Sequence, residues 1–136
     1  MIGKLYRDEV EDLLHRRHVG HLACVADGRP YVVPVTYVYA GGVIYGHTLP
    51  GRKLAALRAD PRVCFEVEER SDDATWGSVV AEGVYEEPTD PAERRVALLR
   101  LADVGPAAVP PTDEAPGVVF RLRLTEKTGR FVAPEG

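Results

Sequence analysis

Residues 29–53 read R-P-Y-V-V-P-V-T-Y-V-Y-A-G-G-V-I-Y-G-H-T-L-P-G-R-K. The run from Arg29 to Tyr39 is dense in Val and Tyr, which suit a pleated, half-buried strand. Gly41-Gly42 supplies a tight turn, and Val43 to His47 returns antiparallel. Pro50-Gly51 then turns the chain into a short helix that opens on two cations, Arg52 and Lys53. Leu54 and Leu57 give that helix one apolar face, and Asp60-Pro61 ends it. A helix N-terminus offers unpaired N–H groups and a partial positive charge, so an anion is favoured there before any side chain is counted. The planar fork of Arg52 and the compact charge of Lys53 suit a terminal phosphate monoester, and Thr48 adds a hydroxyl. A bare Gly-Arg-Lys tripeptide is more often a solvated helix start, so the assignment rests on its surroundings.

Upstream, Val19 to Val25 is strand-like and Asp27-Gly28 is a hairpin signal that joins it to the long strand. Tyr6 to Arg17 reads as an amphipathic helix lidding the core, with Leu5 or Tyr6, Val10, Leu13 and Leu14 on one stripe. Downstream, Arg62 to Glu68 alternates as a fourth strand, and Thr75 to Tyr85 gives a fifth. Asp90 and Glu93 form a capping-box pattern ahead of a helix to about Ala102, with Val96, Leu98, Leu99 and Leu101 as its apolar side. A proline-rich segment, 105–116, separates this helix from a sixth strand, Val118 to Leu124. Strands arriving as hairpins make a mainly β fold, a six-stranded antiparallel small barrel with two or three short helices, more consistent than a parallel α/β sheet.

The length of 136 residues is that of one domain, expected to span 1–136. A 45% hydrophobic and 28% charged composition is that of an ordinary soluble protein, and no apolar run approaches the ~20 residues of a membrane span. The N-terminal stretch lacks a signal peptide's apolar centre, so a cytoplasmic location is expected. A net charge of −4 argues against non-specific nucleic-acid binding. Cys24 and Cys64 stand far apart among apolar residues and read as buried free thiols, with no zinc knuckle and no redox pair. Of the four histidines, His15 and His18 read as solvated and His21 as a satisfied strand residue. His47, beside the anion seat, is the catalytic candidate.

Taken in order, G-H-L-A, D-G-R-P-Y-V-V-P-V-T-Y, I-Y-G-H-T-x-x-G-R-K-L, D-P-R-V-C-F-E-V, W-x-S-V-V-x-E-G and V-V-F-R-L-R-L resemble the pyridoxamine 5′-phosphate oxidase-like family of FMN-binding split β-barrels, nearest to its nitroimidazole-resistance-type members. The resemblance implies FMN as cofactor. It lays Val33, Pro34, Val35 and Thr36 along the flavin ring, bonding its polar edge through backbone groups. It sets His47 and Thr48 near the ribityl chain or ring, Arg52 and Lys53 on the phosphate, and Trp76 and Ser78 near the cofactor across a subunit boundary. Pro34 fits such a role, because a mid-strand proline marks an edge or local break. The implied protein is a homodimer with shared cofactor sites, passing electrons from reduced flavin to a small organic acceptor such as a nitroaromatic or quinone. His47 would serve as proton donor. The outward residues of the second and fifth strands, among Val33, Val35, Tyr37, Trp76 and Val80, are expected to form the subunit interface. The basic C-terminal segment that binds substrate phosphate in the oxidases proper has no match, which disfavours vitamin B6 oxidation. Alternatives are a non-catalytic flavin- or haem-binding sensor or carrier, and a deazaflavin-dependent reductase.

Overall fold

A computed structural model describes residues 1–105 and 117–135. The elements run β1 (Ile2–Lys4), α1 (Arg7–Arg16), β2 (Val19–Ala26), β3 (Arg29–Ala40), β4 (Val43–Thr48), α2 (Arg52–Ala59), β5 (Arg62–Arg70), β6 (Trp76–Glu86), α3 (Pro91–Ala102) and β7 (Val118–Val132). The segment 106–116, most of the proline-rich stretch, lies outside the described residues.

Strands β7, β4, β3, β2, β5 and β6 pair antiparallel in that order, and β6 returns to β7, so six strands form a ring. The mainly β, six-stranded expectation holds for this ring. A seventh strand, β1, pairs only with the far end of β7. Both two-residue turns adopt positive φ, at Asp27 and Gly28 (54° and 75°) and at Gly41 and Gly42 (58° and 78°), the geometry that matches strand twist in a tight hairpin.

The ring is a split barrel because β7 is longer than its partners on one side. It meets β4 through Val118–Arg123 and β1 through Arg130–Val132. Helix α1 lies by the intervening stretch, where Glu11 holds both Lys127 and the Tyr39 hydroxyl, the latter at 2.6 Å. Val10, Leu13 and Leu14 face inward and Leu5 packs against them, while Tyr6 is exposed, which settles the register of the stripe. The Tyr37 hydroxyl donates to the Leu14 carbonyl at 2.8 Å. Tyr37, Phe65 and Phe120 are fully enclosed at the centre, each a burial worth roughly 1.5–3 kcal/mol.

Several expectations need correction. Val33, Val35 and Tyr37 alternate onto the inner face of β3 and pack in or against the core, so they form no outer interface; the outward residues are Val32, Pro34 and Thr36. Both faces of this strand are apolar in sequence, which hides the phase of the alternation. Cys64 is exposed, while Cys24 is buried as expected. Helix α3 buries Ala97 and Leu101, one turn apart, and leaves Val96 and Leu99 exposed. Its cap is half as expected: Asp90 accepts from the Ala92 N–H at 2.9 Å, but Glu93 reaches Arg121 instead. His21 is satisfied by Glu66, 3.0 Å from its Nδ1.

Candidate functional site

Three incomplete features meet where β3, β4 and α2 adjoin. The first is a strand edge. β3 pairs with β2 along Arg29–Thr36 but with β4 only along Tyr37–Ala40. The Tyr37 N–H donates toward β2, to the His18 carbonyl at 2.9 Å. By antiparallel alternation, the backbone groups of Val32, Pro34 and Thr36 therefore face the opposite side, where no strand covers them among the described residues. Pro34 has no N–H to leave unsatisfied there, the position its sequence context anticipates.

The second feature is the start of α2. Its N-cap Gly51 gives no side-chain cap, and no acidic residue stands in the first turn. Two cations stand there instead, where the helix dipole disfavours them. The Arg52 guanidinium lies 4.7 Å from the centre of the Tyr31 ring. Lys53 is half-buried, and burial pushes its amine below the ordinary lysine value. No described carboxylate lies within 4.0 Å of it. The thiol of Cys24 is pushed up by burial, an effect that Lys53 and Arg52 moderate.

The third feature is His47, at the end of β4 beside Val119 of β7. Its Nε2 is enclosed and has no hydrogen-bond partner among the described residues. Burial, then Arg94 of α3 and Lys53, hold the ring below the ordinary histidine value.

The structure thus brings Pro34, Thr36, His47, Arg52 and Lys53 into one neighbourhood, with Val33 and Val35 supplying inward packing behind the edge. Thr48 is also there, but it is buried and its hydroxyl donates to the Leu49 carbonyl at 3.1 Å. Trp76 and Ser78 are not brought in. Trp76 pairs with Arg70 at one end of β5, whereas α2 joins the other end at Arg62, eight residues or roughly 26 Å away along the strand. Sequence reasoning missed Tyr31 and Arg94. An aromatic two residues into the long strand signals Tyr31 only weakly, and Arg94 sits in an ordinary helical run, approaching His47 only through tertiary packing. Among the described residues no group of three potential metal ligands occurs, and no helix is long and apolar enough to cross a membrane.

An unpaired amide edge beside two cations and an unpartnered imidazole nitrogen suits a planar heterocycle that carries a phosphate. The chain belongs to the pyridoxamine 5′-phosphate oxidase family, whose profile matches residues 6–131. A FAD-binding protein from Mesorhizobium loti is 35% identical with a TM-score of 0.86, covering 98% of this chain and 99% of that one. A 5-nitroimidazole antibiotic resistance protein from Bacteroides thetaiotaomicron shares the fold, with a TM-score of 0.79 at 20% identity over 96% of this chain and 87% of that one. An uncharacterised protein of Rhizobium meliloti is 35% identical over 81 residues, 60% of this chain; the match spans about half, 54%, of that relative's length.

Proposed function

We propose that this chain is an FMN-binding oxidoreductase that passes electrons from a small-molecule donor to a small organic acceptor of nitroaromatic or quinone type. The observation that carries the reading is Lys53, a half-buried ammonium without a described acid partner at the start of a helix. Such a charge is costly alone and favourable beside a phosphate. Arg52 supplies the second phosphate contact. The open edge at Pro34 and Thr36 supplies acceptors and a donor for a ring amide, and His47 supplies a further hydrogen bond. The flavin contributes the redox chemistry, while the chain contributes position and polarity.

FAD is the second reading, favoured by the full-length likeness to the Mesorhizobium protein. Its adenylate half would extend past Arg52 toward the cleft of about 150 Å³ lined by Val25, Asp27, Ala55 and Ala59. An absorbance spectrum and mass determination of the chromophore released from the purified protein are expected to give FMN. FAD selects the second reading, and haem or no flavin affinity overturns both. Anaerobic addition of NADPH with a quinone is expected to show turnover; flavin binding without reduction leaves a carrier.

A homodimer with shared flavin sites belongs to the same proposal. Exposed apolar residues cluster on the outer face of β2, β3 and β6, at Val19, Val25, Val32 and Val80, around the row Pro34–His21–Glu66–Val80. Trp76 and Ser78 can reach a flavin only from a second subunit. Sedimentation is expected to show a dimer. A species of about 15 kDa, the chain's 14.9 kDa mass, binding one flavin tightly overturns the shared site.

A further inference from the structure

Gly117 stands just before β7, against His47. A methyl carbon built on it would lie 1.5 Å from Nε2 of His47, 2.4 Å from Cε1 and 2.6 Å from Cδ2. Its backbone is outside the left-handed region, so no turn demands glycine here. The imidazole demands it, by occupying the space a side chain would fill.

The two ring nitrogens consequently differ. Among the described residues Nε2 is both enclosed and unpartnered, a combination that Nδ1 does not share. Among the described residues the charged groups that act on the ring are Arg94 from α3 and Lys53 from α2, both cations, with no carboxylate to support an imidazolium. A neutral ring carries one N–H. A buried N–H without an acceptor is a costlier orphan than a buried lone pair, so the hydrogen belongs on Nδ1.

We infer that Gly117 is a positioning residue that seals Nε2 of His47 and fixes the ring as a neutral Nδ1–H donor turned toward the ligand. The direction of that donor rests on the flavin reading; the sealing and the tautomer do not. His47 then gives the ligand a standing hydrogen bond, suited to a carbonyl or ring nitrogen acceptor, without changing its own charge.

Nitrogen-15 spectra of histidine-labelled apo-protein at neutral pH test this without cofactor, with His47→Ala identifying the resonance. A neutral Nδ1–H pattern is expected in the wild type; a neutral Nε2–H pattern or an imidazolium overturns the inference. Thermal unfolding supplies a cycle that survives a badly behaved variant. Gly117→Ala is expected to lower the apo melting temperature by about 4 °C or more, and to shift it by about 1 °C or less when His47→Ala has emptied the space. Rescue of a non-folding Gly117→Ala by His47→Ala supports the inference equally. Equal losses in both backgrounds, or two variants that fail to fold, overturn it. If the tautomer and the cycle hold but His47→Ala leaves FMN affinity and flavin reduction unchanged, the flavin role of His47 fails while the positioning stands.

Discussion

Two half-buried lysines occupy opposite circumstances in this molecule. Lys127, by the split of the barrel, meets the Glu11 carboxylate and lies 3.1 Å from the Tyr39 hydroxyl. Burial alone would lower its affinity for a proton, but those two partners outweigh burial and raise it. Lys53, at the start of α2, is the more deeply buried, has no acid partner among the described residues, and is lowered. The difference teaches that the fold can pair a half-buried ammonium where it needs a structural tie. At α2 it leaves one without a carboxylate among the described residues.

Removing each lysine's advantage separately gives the sharpest contrast. Lys53→Ala is expected to weaken FMN binding roughly tenfold to a hundredfold, the loss of a charge-assisted contact of about 1.5–3 kcal/mol, and to leave riboflavin affinity almost unchanged. Titration of both ligands checks it, and equal losses would erase the distinction between the lysines. Glu11→Ala, by stranding Lys127, is expected to cost about 1–2 kcal/mol of apo stability in denaturant melts, a value discounted for partial exposure, while FMN affinity stays put.

Acidity separates the two further. The Glu11 carboxyl is held below its ordinary value: burial opposes this, but Lys127 and Tyr39 prevail. Its contribution is therefore present above the ordinary glutamate value of 4.5 and is lost as pH falls through the lower, folded value. Lys53 behaves oppositely: its depressed value makes the ammonium a cost at neutral pH that fades as pH rises toward the ordinary 10.5. The stability profile of Glu11→Gln is expected to lie below that of the wild type at neutral pH and to converge on it at the acid end, and that of Lys53→Met to lie above the wild type at neutral pH and to converge on it at the alkaline end. Parallel profiles would mean that neither lysine is coupled as described. The smallest effect belongs to an exposed pair, Arg16 with Glu69 at 2.9 Å. Arg16→Ala is expected to change stability by about 0.5 kcal/mol or less, and flavin affinity not at all, in the same melts and titrations.

The helix that opens on Arg52 and Lys53 was legible because its signals are local: a Pro-Gly turn, two cations and an apolar pair ahead of Asp60-Pro61. The hairpins were legible for the same reason, since Asp27-Gly28 and Gly41-Gly42 carry their geometry in their own residues. β1 and the second half of β7 were not. β1 has three residues, too few to show a period. Beyond Leu124, β7 continues as Thr-Glu-Lys-Thr-Gly-Arg, where the alternation dissolves because the strand runs along the split and across a register shift opposite Glu82 and Gly83. The tie from Glu11 to Tyr39 and Lys127 joins residues up to 116 positions apart, and sequence spacing cannot show such a contact. The free edge of β3 was half legible: Pro34 announced an edge, but only the short reach of β4 shows which side of the strand is open.

That open edge carries a hazard as well as an opportunity. The backbone groups of Val32, Pro34 and Thr36, uncovered among the described residues, are a template on which a strand from another chain can lengthen the sheet, the first step of aggregation. Pro34 stands in the middle of the template with its donor missing, and an added strand would find the ladder broken there. One residue thus leaves the edge uncovered while denying it to a foreign backbone.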